Sequence, residues 1–354
     1  MKQRRVAIIG CGRIGKMHAY AYARTPRVDV VGLADVQRAR AEEMKATYGF
    51  SGAAVGEDYG AMLREQRPDL VSICLWTPLH LPVVRDVLAA GVRAVHCEKP
   101  MAPTWGEAQD LAAAARAAGA VLTFNHQRRF LPNFMKAREL LASGRFGALQ
   151  RMEAYNPANI LDWGTHIMDL LFSFNAENPV RWVMGQIDAR TTARWFSIEF
   201  EFAAEAFLRF ENGVRAVVHS GDDKEINMGI RLHLEKGIIE VPAEHDLRAI
   251  EFARGQWETF TFPAVPDADR NNDAEVRAVA NLLDALDSGA EPELGVARAL
   301  RATEAIFAVY ESARRRARID LPLATRDSAF LSMRSAGVFG PAPAAPPPGP
   351  AAAR

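Results

Sequence analysis

Two side chains, Asp162 and His166, have the types and spacing to act together on a hydroxyl proton. The imidazole of His166 titrates near neutrality, so it accepts a hydroxyl proton and returns it in the reverse direction without a large pKa shift. Asp162 stands four residues earlier in Asp162-Trp163-Gly164-Thr165-His166-Ile167-Met168-Asp169. A helix starting between the two brings both side chains to one face, with Asp162 as its N-cap. Asp169 reads as a support for the histidine or for helix packing. Lys99, in Cys97-Glu98-Lys99-Pro100, is one of only seven lysines in a chain whose positive charge is otherwise arginine.

A second constellation is built to hold phosphate. Gly10-Cys11-Gly12-Arg13-Ile14-Gly15 joins a short β-branched run to a helical stretch. Backbone amides at the start of that helix then face a pyrophosphate without Cβ obstruction. Asp35, twenty residues beyond Gly15, ends the next apolar run, where a carboxylate accepts hydrogen bonds from adenosine ribose hydroxyls. The reading is NAD, favoured over NADP because Asp35 repels a 2′-phosphate, with Arg38 and Arg40 close enough to keep NADP open.

The elements that must position these groups alternate through the first third. Strands are expected at Arg5–Ile9, Val28–Ala34, Leu70–Trp76, Ala94–Cys97 and Val121–Phe124, with helices at Ile14–Arg24, Val36–Tyr48, Leu81–Ala90 and Trp105–Ala118 between them. This alternation implies right-handed crossovers and a doubly wound parallel sheet. Thr77-Pro78-Leu79-His80 follows the strand at 70–76, at the carboxyl edge where cofactors lie in such sheets. The second half is rich in β-runs, at Val180–Ala189, Trp195–Phe202, Ala206–Phe210, Arg215–Ser220, Ile230–Leu234 and Gly237–Val241, followed by helices at Asn272–Leu286 and Gly295–Arg318.

Together with the glycine loop, the Glu98-Lys99-Pro100 signature, Phe124-Asn125 with Arg129-Phe130, and the Asp162-to-Asp169 signature resemble the glucose–fructose oxidoreductase, inositol dehydrogenase and MocA (Gfo/Idh/MocA) family over roughly residues 4 to 325. The resemblance implies an N-terminal Rossmann domain (1–124) and a C-terminal α/β domain (125–330) on a large, mostly antiparallel sheet, whose last helices pack back on the first domain. It implies reversible oxidation of a secondary hydroxyl on a sugar, cyclitol or sugar derivative, with His166 as acid–base. Lys99 would reach the nicotinamide ribose and the reacting hydroxyl, and Asp162 would face the substrate. Cofactor contacts are expected from Gly10, Gly12, Arg13, Ile14, Gly15, Asp35, Thr77, Pro78, His80, Glu98 and Lys99. This sequence departs from the usual pattern at Leu79, where many relatives carry Asn. Asn125, Arg129 and Trp163 are expected at the substrate, with His126 beside them. A homodimer or homotetramer joined through the large sheet is the expected assembly. Relatives of this fold also include glycosidases that retain NAD and regulators that bind a dinucleotide without turnover, and both alternatives stay open at this point.

Composition fits a two-domain globular enzyme. The 354 residues exceed one usual core, and 49% are hydrophobic. With 43 basic against 43 acidic residues, no net field draws nucleic acid or an anionic membrane. Cys11, Cys74 and Cys97 lack metal-site spacing and are too few for a disulfide framework, so a reducing cytoplasm is expected and no metal is. No segment is long and apolar enough to span a bilayer. The stretch from 340 to 354, nearly all Pro, Ala and Gly, is expected to be a disordered tail.

Overall fold

The computed structural model describes residues 3–195, 198–221, 228–243, 246–263 and 267–340. The chain alternates β1 (Arg4–Ile9), α1 (Arg13–Ala23), β2 (Val28–Ala34), α2 (Arg38–Tyr48), β3 (Ala54–Gly56), α3 (Tyr59–Gln66), β4 (Leu70–Ile73), α4 (His80–Ala89), β5 (Ala94–Cys97), α5 (Trp105–Ala117) and β6 (Val121–Phe124). The six strands form a parallel sheet in the order β3-β2-β1-β4-β5-β6. The order reverses between β1 and β4, and a crevice opens there beyond the carboxyl ends of the strands. Strand β4 stops at Ile73, three residues short of the expected Trp76, so Cys74 to Trp76 belong to the loop at that crevice.

The second half runs α6 (Pro132–Ala142), β7 (Leu149–Asn156), α7 (Gly164–Phe174), β8 (Val180–Trp195), β9 (Ile198–Phe210), β10 (Arg215–Gly221), β11 (Gly229–Leu234), β12 (Gly237–Val241), β13 (Leu247–Glu251), β14 (Trp257–Phe260), α8 (Asp267–Ser288), α9 (Val296–Arg315), β15 (Ile319–Asp320) and α10 (Ala329–Ser335). Nine strands form one sheet, β14-β13-β12-β11-β7-β10-β9-β8-β15, antiparallel except where β7 meets β10. The runs expected separately at 195–202 and 206–210 are one strand. Ala203, Ala204 and Glu205 keep their register with Asp188, Ile187 and Gln186 on β8 and so do not break the ladder. Strand β7 carries little β propensity in Leu-Gln-Arg-Met-Glu-Ala-Tyr-Asn, yet Met152, Ala154 and Asn156 are buried from it. Position in the sheet, not intrinsic preference, makes it a strand.

Helix α8 returns to the first sheet, where Val279, Leu282 and Leu283 join Val6, Ile8, Ala19 and Tyr22 in one core. Helix α9 follows β6 closely, with the Phe124 amide donating to the Leu294 carbonyl. Helix α10 carries ordered chain past 330, and residues 341–354 of the expected tail lie outside the described residues.

Candidate active site

The glycine loop divides into positions required by the protein and one that the protein leaves open. Gly10 has φ +95°, and a Cβ there would lie 2.4 Å from the Cys74 carbonyl oxygen. A Cβ on Gly15 would lie 2.0 Å from the Gly10 oxygen, so α1 and β1 approach each other only through glycine. Gly12 is different: it is extended (φ −76°, ψ −163°), and its added Cβ would meet nothing within 4 Å. No side chain caps α1, which begins at the exposed Arg13, followed by Ile14. The space in front of Gly12 and the uncapped amides of the helix fit a pyrophosphate. Gly12→Val should therefore leave folding intact and weaken NAD binding by about 10²-fold through lost charge-assisted hydrogen bonds. Fluorescence titration with a parallel thermal melt checks this; unchanged affinity would move the phosphate elsewhere.

Asp35 stands at the end of β2 beside that loop, its carboxylate accepting from the Cys11 and Gln37 amides, both at 2.8 Å. Fixed in this way and partly exposed, it is placed for a ribose diol. At the ends of β5 and β6, Glu98 accepts from the Lys99 amide at 3.1 Å and from Asn125 Nδ2 at 2.8 Å, and lies 2.8 Å from His18 Nε2. Burial alone would raise the Glu98 carboxyl, but His18, Asn125 and Lys99 pull it down to about 2. Asn125 Oδ1 is buried with no hydrogen-bond partner among the described residues. That acceptor also fits a ligand carrying an amide donor. His18, the anchor of this cluster, went unread in the sequence, although it follows Gly15 by one helical turn on the buried face of α1.

The second domain delivers its groups to the same edge. Lys99 Nζ donates to Asp162 Oδ1 at 2.7 Å and to the Asp162 carbonyl at 3.3 Å. The Lys99–Pro100 bond is cis. His166 lies one turn into α7, buried, and its ring meets that of His126 edge-on at 5.7 Å. Burial, with Arg128, Lys99 and His126 adding to it, lowers the His166 pKa well below the ordinary 6.5, so the imidazole is neutral. Its Nδ1 is buried without a hydrogen-bond partner among the described residues.

Several expected contacts take other roles. Asp162 is not the N-cap of α7; Trp163 holds that position, and the Asp162 carboxylate turns to Lys99 instead. Asp169 supports His126, at 3.7 Å, and Arg129, not His166. Arg129 is fully buried, with its guanidinium against both Asp169 oxygens, the Asp169 carbonyl, Glu177 and Glu293. Those bonds occupy its five donors, so it holds the domain together and leaves nothing for a substrate. Its neighbour Arg128 faces the site, 5.4 Å from the half-exposed Trp163 ring and close enough to act on His166. The tight turn at Gln127–Phe130 sends adjacent side chains in different directions, which spacing alone does not reveal. His80 is also corrected: it is completely buried, its ring nitrogens against the Met101 and Leu75 carbonyls, and it braces the loops instead of meeting a cofactor. Thr77 is buried and Pro78 half-buried in that loop, where Trp76 and Leu79 are the exposed groups.

Such a parallel sheet with its phosphate loop, joined to a second sheet that sends α7 to the same edge, is the framework of a dinucleotide-dependent oxidoreductase. Residues 4–126 match the Gfo/Idh/MocA model, described as an oxidoreductase family with an NAD-binding Rossmann fold. D-apiose dehydrogenase of Paraburkholderia graminis is 25% identical over 95% of both chains. D-glucoside 3-dehydrogenase of Escherichia coli is 32% identical over 45% of this chain and 46% of its own, so this match spans about half of that relative. Among solved structures, an oxidoreductase from Agrobacterium radiobacter in complex with NAD+, L-tartaric acid and magnesium superimposes with a TM-score of 0.78 at 18% identity, covering 90% of this chain and 98% of that one. That likeness is one of fold.

Proposed function

We propose that this chain oxidises a secondary hydroxyl of a sugar, cyclitol or sugar derivative reversibly, using NAD, with His166 as acid–base and Lys99 stabilising the alkoxide. The observation that carries the reading is the Lys99–Asp162 pair, which joins the end of β5 to the start of α7 within electrostatic reach of a neutral imidazole. Gly12, Asp35 and the Asn125 carbonyl would hold NAD, which supplies the hydride acceptor when bound. His166 takes the hydroxyl proton; Lys99 places positive charge where the oxygen becomes negative, and Asp162 orients that ammonium. Arg128 and Trp163 border the pocket, and a half-exposed indole offers an apolar face to a sugar ring. Relatives named for apiose, glucoside and inositol oxidation support this substrate class.

A screen of sugars, cyclitols and sugar acids with NAD and NADP, followed by nicotinamide absorbance, tests the proposal. NADH formation on at least one polyhydroxylated compound is the expected result. Cofactor binding with no turnover across the panel would overturn it, and hydrolysis of a glycoside without NADH accumulation would replace it with redox-assisted hydrolysis.

We also infer a homo-oligomer joined through the large sheet. Met184 and Phe207 are cross-strand partners on β8 and β9 and stand 52% and 56% exposed, and Phe202, farther along β9, is 40% exposed. Light scattering that shows only a monomer at micromolar concentration would reject this. Among the described residues no helix is long and apolar enough to cross a membrane. The free thiols Cys11, Cys74 and Cys97 support a reducing compartment, for which we take the cytoplasm.

A further inference from the structure

Behind the cofactor edge, between α1, β5 and α8, two histidines and a glutamate are enclosed that the proposed reaction does not use as reacting groups. His18, His96 and Glu275 are at most 1% exposed, and one ligand-type atom of each lies within 4.8 Å of the others. His96 Nε2 is 3.1 Å and His18 Nδ1 is 3.6 Å from the same oxygen, Glu275 Oε1. The second oxygen, Oε2, is buried with no hydrogen-bond partner among the described residues.

The outer nitrogen of each ring is already committed. His18 Nε2 points to the Glu98 carboxylate at 2.8 Å, which makes it the protonated nitrogen. Thr123 Oγ1 donates to the Val95 carbonyl, so it accepts from His96 Nδ1 at 2.8 Å. The inner nitrogens, His18 Nδ1 and His96 Nε2, therefore present lone pairs toward one carboxylate. A metal ion seated between the rings and the carboxylate would take those lone pairs, and outer N–H groups held by a carboxylate or hydroxyl are how proteins orient metal-binding imidazoles. Ser72 Oγ, 3.1 Å from His18 Nδ1, satisfies that nitrogen in the metal-free chain.

We propose that His18, His96 and Glu275 form a buried site for a divalent transition metal, zinc by ligand type, that fastens α8 of the second domain to the first sheet. Two imidazoles and a carboxylate suit zinc, whose tetrahedral shell sets its ligand atoms about 3.3 Å apart, so a modest closure of the two rings completes the triangle. The metal has a structural role, since the site faces the interior and Glu98 stands between it and Lys99.

The test uses the full chain purified without a histidine tag or metal-affinity step. Elemental analysis should find about one zinc per chain, and chelation should lower the melting temperature by roughly 5 °C, restored by added zinc. Cobalt added to the chelated protein should give a saturable tetrahedral d–d absorption, which His96→Asn and Glu275→Gln abolish. Zinc-free protein with no saturable cobalt signal at stoichiometric metal would overturn the proposal and leave a proton as the shared cation. If either variant fails to fold, the wild-type metal content and titration decide alone.

Discussion

Replacing His166 by asparagine lowers kcat by roughly 10²–10⁴-fold, because the substitute keeps hydrogen-bonding groups but takes no proton near neutrality. NAD affinity should be unchanged, since none of the groups placed for the dinucleotide depends on this ring. The lowered pKa of His166 also fixes the pH behaviour of the wild type. The neutral imidazole is the form that accepts the hydroxyl proton, and a depressed pKa keeps it neutral as pH falls through the ordinary histidine range. Oxidation should therefore hold from pH 7 to below 6.5, with its acid limb lying lower still. Steady-state kinetics on the substrate identified by the screen measure both effects; a variant within about tenfold of wild type would remove His166 from the chemistry.

Lys99→Met carries the second large effect, and it acts on two quantities. Turnover should fall by roughly 10²–10³-fold as the alkoxide loses its cation. Stability should fall by about 3 kcal/mol, because the Asp162 carboxylate, whose side chain is 3% exposed, loses the ammonium 2.7 Å away. Combining Lys99→Met with Asp162→Asn removes the buried carboxylate charge and should recover part of the stability while turnover stays low. Recovery of turnover in the double variant would reduce Lys99 to a structural ion pair. A third readout distinguishes the electrostatic role: Lys99 pushes the His166 pKa down, so removing it should move the acid limb of the residual activity toward higher pH. A pH profile unchanged by the substitution would mean that the two groups do not share a pocket.

Local rules make much of this protein legible from its residues alone. Gly10 to Gly15 between a β-branched run and a helix, and Asp35 at the end of the next run, require only backbone sterics and the βαβ crossover to be read as a phosphate loop and a ribose partner. The strands at 94–97 and 121–124 were bounded by glycine-closed helices and lie where the pattern put them. Strand β7 was not legible, because its polar residues alternate with small apolar ones and only a sheet on both sides makes it a strand. Arg129 and Arg128 show the same limit at the site. Adjacent, chemically identical residues were separated by a turn into one buried structural ion network and one pocket wall.

The sequence by itself determined the alternating domain, the dinucleotide signature and the identities of the groups able to move a proton, since these depend on residue type and on spacing within one element. Only the tertiary structure decided which of those groups meet. It turned Asp162 from a helix cap into the partner of Lys99, drew His80 and Arg129 into the interior, and gathered His18, His96 and Glu275 around a common point. Such meetings join elements far apart along the chain, and they follow from how whole sheets and helices pack, which no local pattern of residues encodes.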